Sequence, residues 1–187
     1  MSWLEQDRTR RFVVTLAGVA CLGGLTAGCF QPLYGEHSLA GSPIGPALAG
    51  VDVAQIPAPA GSSEARVAVE ARNQLLFDIK GGAEPPPPTH RLAIRMTSNR
   101  LSVIVDVNSG RPDVENYGLN VFYTLTEIKT GKPALTGTTF ARVSYDVPGQ
   151  AQRFARARGL RDAENRAAKV IADNIKSRLA SYFVAGT

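Results

Sequence analysis

From residue 90 to residue 146 the chain alternates between apolar and polar side chains. Leu92, Ile94 and Met96 are separated by Arg91, Ala93 and Arg95, and the run continues to Val103 and Val105. Tyr117, Leu119, Val121, Tyr123 and Leu125 repeat the pattern, and Leu135, Thr139, Ala141, Val143 and Tyr145 close it. A side-chain period of two is the mark of a strand with one apolar face. Between the runs stand Asn108-Ser109-Gly110-Arg111-Pro112 and Lys129-Thr130-Gly131-Lys132-Pro133, both rich in turn formers. Successive strands are therefore expected to join as antiparallel hairpins. A sheet with one apolar face has to be covered by something else in the chain.

The cover is legible at the carboxy terminus. Leu160, Ala163, Ala167, Val170, Ile171, Ile175, Leu179 and Tyr182 form one stripe at helical spacing. Arg153, Arg156, Arg158, Arg161, Arg166, Lys169, Lys176 and Arg178 fall mostly off that stripe. This predicts a long amphipathic helix from about Gln150 to Phe183. A second helix precedes the strands: Ser62-Ser63-Glu64 supplies a cap and an acidic first turn, and Val67, Ala68, Ala71, Leu75, Leu76 and Ile79 supply its apolar face. Gly81-Gly82 ends it, and Pro85 to Pro88 form a stiff connector. Val51, Val53 and Ile56 ahead of Pro57 and Pro59 predict one short strand more. The order strand-helix-strand-strand-strand-helix implies an α+β two-layer sandwich, a four-stranded, mostly antiparallel sheet covered on one face by two helices.

The amino terminus has a different character. Arg8, Arg10 and Arg11 precede a weakly hydrophobic stretch from Phe12 to Leu25, which ends in Leu25-Thr26-Ala27-Gly28-Cys29. Positive charge, an apolar run and then small residues are the layout of a secretory signal. The final five residues resemble the lipobox of bacterial lipoproteins, with Thr26 where Leu is usual. A thiolate is a good nucleophile near neutral pH and can take a diacylglyceryl group, and small residues before it admit a signal peptidase. The chain thus divides into residues 1–28 as a lipoprotein signal peptide, 29–50 as an acylated amino terminus and flexible tether, and 51–187 as a periplasmic α+β domain. Cys21 is a competing acylation site, but it leaves an apolar core of only about seven residues. An uncleaved anchor, an ordinary signal and a twin-arginine signal at Thr9-Arg10-Arg11-Phe12 stay open as alternatives. Phe30, rather than Asp, follows the cysteine, which favours the outer membrane.

Cleavage before Cys29 leaves 159 of the 187 residues, with 18 Lys and Arg against 14 Asp and Glu. A domain of that size buries enough surface to stand without disulfides. With Cys21 removed, no second thiol is present to form one. The chemistry of catalysis is hard to assemble. His37 lies in the tether and His90 opens a strand, with no metal-ligand spacing between them. Asp162 and Glu164, two apart on a helix, point to different faces. Asp106, Asp113 and Asp146 fall at turns and strand ends, where Asp is ordinary. No glycine-rich loop of the phosphate-cradling type precedes a helix. Neither an enzyme nor a nucleic-acid binder is expected, and no cofactor beyond the N-acyl and S-diacylglycerol groups on Cys29.

Three segments resemble one family. Cys29-Phe30-Gln31-Pro32-Leu33-Tyr34-Gly35 is similar to the start of mature lipopolysaccharide-assembly lipoproteins of the LptE family, alphaproteobacterial branch, although that branch usually has Gly between Cys and Phe. Arg72-Asn73-Gln74-Leu75 resembles the Arg-Asn-x-Leu stretch of the family. Asp162-Ala163-Glu164-Asn165-Arg166-Ala167-Ala168, continuing as Ile171-Ala172-Asp173, Ile175 and Arg178-Leu179, resembles its last helix. The resemblance implies a lipid-anchored protein on the periplasmic face of the outer membrane. It implies a plug in the LptD β-barrel that binds lipopolysaccharide and assists its transport to the outer leaflet. It also implies lipopolysaccharide-binding basic residues in the turn between the second and third strands and near the start of the last helix, here Arg111 and Arg153. Arginine suits that task, since its planar fork meets phosphate oxygens in pairs. An accessory lipoprotein of an inner-membrane lipid-transport complex is the alternative, since it shares the acylated cysteine and the α+β build.

Overall fold

A computed structural model describes residues 44–81, 86–105, 112–147 and 153–185. The signal peptide, Cys29, residues 30–43, Gly82 to Pro85, the Asp106–Arg111 turn and residues 148–152 lie outside the described residues. The elements run α1 (Ile44–Ala49), β1 (Val51–Val53), α2 (Ser63–Lys80), β2 (His90–Val105), β3 (Pro112–Glu127), β4 (Pro133–Asp146) and α3 (Arg153–Ala185). The four strands form one sheet in the order β1-β2-β3-β4. β2–β3 and β3–β4 pair antiparallel. β1 pairs parallel to β2, Val51 opposite His90 and Val53 opposite Leu92. The α+β sandwich expected from the sequence is the one observed.

The inward rows follow the alternation. Leu92 and Ile94 on β2, and Tyr117, Leu119, Val121, Tyr123 and Leu125 on β3, are buried, as are Ala141 and Tyr145 on β4. Val103 departs from the expectation that it continues the apolar row, since it is 51% exposed. The register from His90↔Glu127 to Ser102↔Glu115 is unbroken. Odd-numbered residues of β2 therefore face away from the helices up to that point, and Val103 shares the parity of Arg95 rather than of Leu92.

Both helices cover the inward face. Val67, Ala68, Ala71, Leu75 and Ile79 of α2 are buried. So are Ala163, Ala167, Ala168, Ile171, Ala172, Ile175, Leu179 and Ala180 of α3. Alanine at five of those α3 positions keeps the ridges low, which lets the helix lie close to its neighbours. The ends of α2 are closed locally. The Ser62 hydroxyl accepts from the Ala65 amide at 3.1 Å, and Gly81, at φ 59°, donates its amide to the Phe77 carbonyl. Gly81 adopts a left-handed conformation that a Cβ would strain. Arg72, from the Arg-Asn-x-Leu stretch, donates through Nε to the Val53 carbonyl at 3.1 Å and ties α2 to the edge strand.

A charged pair crosses the helical layer. Arg66 of α2 donates to the carboxylate of Glu164 on α3, which is 2% exposed. Ser98 of β2 donates to Glu64 at 3.1 Å beneath the same helix end. The backbone amides at the start of α2, with Ser98, hold the Glu64 carboxyl below the usual range. Burial, against the help of the Ser98 hydroxyl, raises the Tyr117 phenol above its ordinary value, and the Glu164 and Glu64 carboxylates add to that.

One correction concerns the tether. The flexible segment expected over residues 29–50 is, in its last part, the helix α1. Ile44 and Leu48, four apart on one face, are both buried in the common core. Pro46 is accommodated because it sits in the first turn, where amides have no intrahelical acceptor.

Candidate functional site

The sandwich has two unlike ends. At one, the His90 ring meets Tyr182 and Phe183 edge-on, with centroids 6.4 and 5.3 Å apart, and closes the core with aromatic contact. At the other, β2 and β3 terminate at the Val105↔Pro112 pair, β4 terminates at Asp146, and α3 begins. Arginines gather at this second end.

The first turns of α3 run beyond the core. Burial on the helix starts at Ala163, and every residue from Arg153 to Arg158 is exposed. At 1.5 Å per residue this exposed stretch of six residues is about 9 Å long. Its first turn contains no acidic residue, whereas Arg153 and Arg156 lie in it and Arg158 and Arg161 follow. A helix amino terminus is the positive pole of its dipole, so these cations raise an already positive potential. Arg153, Arg158 and Arg161 have no ion-pair partner among the described residues. Phe154, 89% exposed, stands beside them. Phe154, Ala157, Arg158 and Arg161, at helical three-and-four spacing, line a shallow depression of about 400 Å³.

What holds this stretch in place is a polar knot beneath it. Glu115 of β3 faces inward opposite Tyr145 of β4 and is 7% exposed. Its carboxylate accepts from the Tyr145 hydroxyl and, at 3.2 Å, from the Arg156 guanidinium. A buried carboxylate needs such partners, because an uncompensated charge there costs several kcal/mol on the order-of-magnitude scale for buried ions. Burial pushes the Tyr145 phenol up to about 12, and the hydrogen bond to Glu115 and its negative charge act in the same direction. The nearby Arg100 opposes them. Gly159 lies against this knot: a Cβ there would make ordinary contact, 3.4 Å from the Asp146 carbonyl oxygen and 3.7 Å from the Tyr145 ring.

The structure places Arg153 at the exposed first position of α3. Arg111 and Cys29 lie outside the described residues. The residues flanking the Arg111 turn, Val105 and Pro112, pair at the same end of the sheet from which α3 starts. Sequence reading missed Glu115, Tyr145 and Arg156. The signal was available in principle: Glu115 is a charged residue in phase with the apolar row Tyr117, Leu119 and Val121, and an in-phase acid on an inward row requires a cation or donor from another element. Asp162 and Glu164 do diverge as expected. Asp162 is exposed and pairs with Arg166 at 2.7 Å one turn on, while Glu164 turns into the core. Among the described residues no group of three metal-ligating side chains is found, and no helix is long and apolar enough to cross a membrane.

The architecture defines the class: this is an α+β sandwich of the kind solved for bacterial lipoproteins. A candidate lipoprotein from Caulobacter crescentus CB15 has the same fold, with a TM-score of 0.58 at 20% identity, covering 77% of this chain and 97% of that one. Rare lipoprotein B from Shewanella oneidensis gives a TM-score of 0.51 at 15% identity, covering 72% of this chain and 96% of that one. No protein-family model and no curated protein matches the chain. At these identities the relationship is one of fold, shared with both of these lipoproteins.

Proposed function

We propose that this chain is an outer-membrane lipoprotein, acylated on Cys29, that lodges in a β-barrel of the LptD type and helps lipopolysaccharide reach the outer leaflet. Its contribution is binding and positioning, without catalysis. The observation that carries the reading is the basic start of α3, with Arg153, Arg158 and Arg161 free of ion-pair partners among the described residues beside exposed Phe154, at the end of the sheet where β2 stops and β3 starts. Arginine with an adjoining aromatic suits a ligand that carries phosphate on an apolar body. The fold shared with rare lipoprotein B and the Cys29-Phe30-Gln31-Pro32-Leu33-Tyr34-Gly35 segment support the same reading.

The test is extraction of the native protein in mild detergent. A stable two-protein complex with a large β-barrel is expected, together with bound lipopolysaccharide. A lipoprotein that elutes alone, in cells whose surface lipopolysaccharide is unchanged by its depletion, overturns the proposal. The substitution Cys29→Ser is expected to abolish acylation and membrane retention. Mass spectrometry of the mature amino terminus reads this directly, and an unchanged processed, membrane-bound product would refute the anchor.

A further inference from the structure

The helices cover one face of the sheet; among the described residues, nothing covers the other face of β2, β3 and β4. Its outward positions are set by the register. Arg91, Ala93, Arg95, Thr97 and Asn99 on β2 lie beside Thr126, Thr124, Phe122, Asn120 and Gly118 on β3, and the last four of these lie beside Thr136, Thr138, Phe140 and Arg142 on β4. Two features set this face apart from an ordinary solvated sheet. It contains no acidic residue over those positions, and Arg91 alone of its arginines is paired, to Asp52 of β1 at 3.3 Å. It also exposes two large aromatic rings, Phe122 at 46% and Phe140 at 63%. A solvated face would mix charges of both signs and bury or omit such rings.

The arrangement is ordered. Arg95 sits in the same cross-strand row as Phe122, Phe140 lies in the next row, and Arg142 in the row after that. Arg142 packs its guanidinium over the Phe140 ring at 5.9 Å. Two strand spacings and four residues separate Arg95 from Arg142, roughly 17 Å between backbone positions. The two cations therefore stand at opposite corners of an aromatic middle, and Thr97, Asn120 and Thr138 fill the remainder with hydroxyls and amides. Arg95, Thr97, Asn120, Phe122, Thr138 and Phe140 line a shallow concavity of about 410 Å³.

We infer that this open face is a binding site for one molecule of an anionic glycolipid, with phosphate groups on Arg95 and Arg142 and the apolar part over Phe122 and Phe140. The inference rests on the lipopolysaccharide reading above and assigns that ligand a second, independent surface, on the opposite side of the sheet from α3. Charge selects an anion, since Arg95 and Arg142 have no carboxylate partner among the described residues. Phe122 and Phe140 line a concavity together with Arg95, which fits a single amphiphile better than the plane of a bilayer. A second copy of the chain is disfavoured, because it would set these arginines against one another.

The experiment uses the full acylated protein in detergent micelles, with purified lipopolysaccharide, its de-acylated phosphorylated saccharide and phosphatidylglycerol as separate probes. Because all four key side chains are exposed, R95Q/R142Q and F122S/F140S are expected to keep the circular dichroism of the parent. Losing two charge-assisted phosphate contacts should weaken lipopolysaccharide binding about tenfold or more in R95Q/R142Q. F122S/F140S should weaken lipopolysaccharide but leave the de-acylated saccharide unchanged. A photoreactive residue at position 122 should cross-link to lipopolysaccharide. If both sheet variants bind like the parent while R153Q/R158Q loses binding, the functional reading stands and the sheet site is overturned. If phosphatidylglycerol binds as tightly as lipopolysaccharide, the glycolipid assignment is overturned. If the parent binds none of the probes, the functional reading itself fails.

Discussion

Replacing Arg66 by alanine should cost more stability than its half-exposed position suggests. The side chain is 39% exposed, but the carboxylate it neutralises, on Glu164, is 2% exposed at the α2–α3 contact. Removing one partner of a fully buried pair costs about 3–5 kcal/mol, because the other charge is left without compensation. Here the arginine side opens to solvent, so water can enter and screen the orphaned carboxylate, which lowers the expectation to about 2 kcal/mol. For a domain of this size that is a fall in Tm of roughly 4–8 °C. The complementary variant separates charge from packing. R66M/E164L replaces both groups with apolar side chains of similar volume and is expected within about 1 kcal/mol of the parent, since the desolvation penalty goes with the charges. Urea unfolding with a common m-value measures both. A double variant that is less stable than R66A would refute the reasoning, as would an R66A midpoint indistinguishable from the parent.

Three further outcomes are expected. Gly137 lies opposite Tyr123, and a Cβ there would approach the tyrosine hydroxyl oxygen to 2.4 Å and the ring carbons to 2.6 and 3.1 Å. Gly137→Ala should therefore destabilise by about 1–3 kcal/mol through displacement of a buried ring, measured by denaturant midpoint. Tyr145 supplies an alkaline signature. Its phenol is raised in the folded state to about 12 from an unfolded value of 10.0, so its share of stability is intact below about pH 10 and lost as pH rises toward 12. Tyr145→Phe should flatten that part of the pH–stability curve, and an unaltered slope would count against the Glu115 contact. Gly81→Ala, at φ 59°, should cost about 1 kcal/mol by strain at the end of α2, read from thermal melts.

The sequence alone determined most of the architecture. Alternation in the three long strands fixes which side chains face inward, because the β period is two, and the apolar stripes at 67–79 and 160–182 fix the faces the helices bury, except at Val170, which is 41% exposed. Local capping chemistry at Ser62 and Gly81 sets the bounds of α2 without reference to the rest of the fold. These features are legible because each depends on neighbours within a few residues. The expectation for Val103 failed where apolar identity was read in place of phase.

Tertiary structure decided what depends on distant partners. Ile44 and Leu48 form a helical turn because the core offers them a place, in a segment whose glycines and prolines read as a tether. Glu164 is buried because Arg66, nearly a hundred residues away in sequence, reaches it, and Glu115 is buried because strand pairing brings Tyr145 and helix docking brings Arg156. The same holds for the candidate surfaces. Arginines 153, 158 and 161 become a basic end only because the first turns of α3 stay exposed, and Arg95, Phe122, Phe140 and Arg142 become one face only through the register of three strands. A charge or a ring carries its chemistry in the sequence, but its neighbours, and so the potential and the water around it, are set by the folded chain.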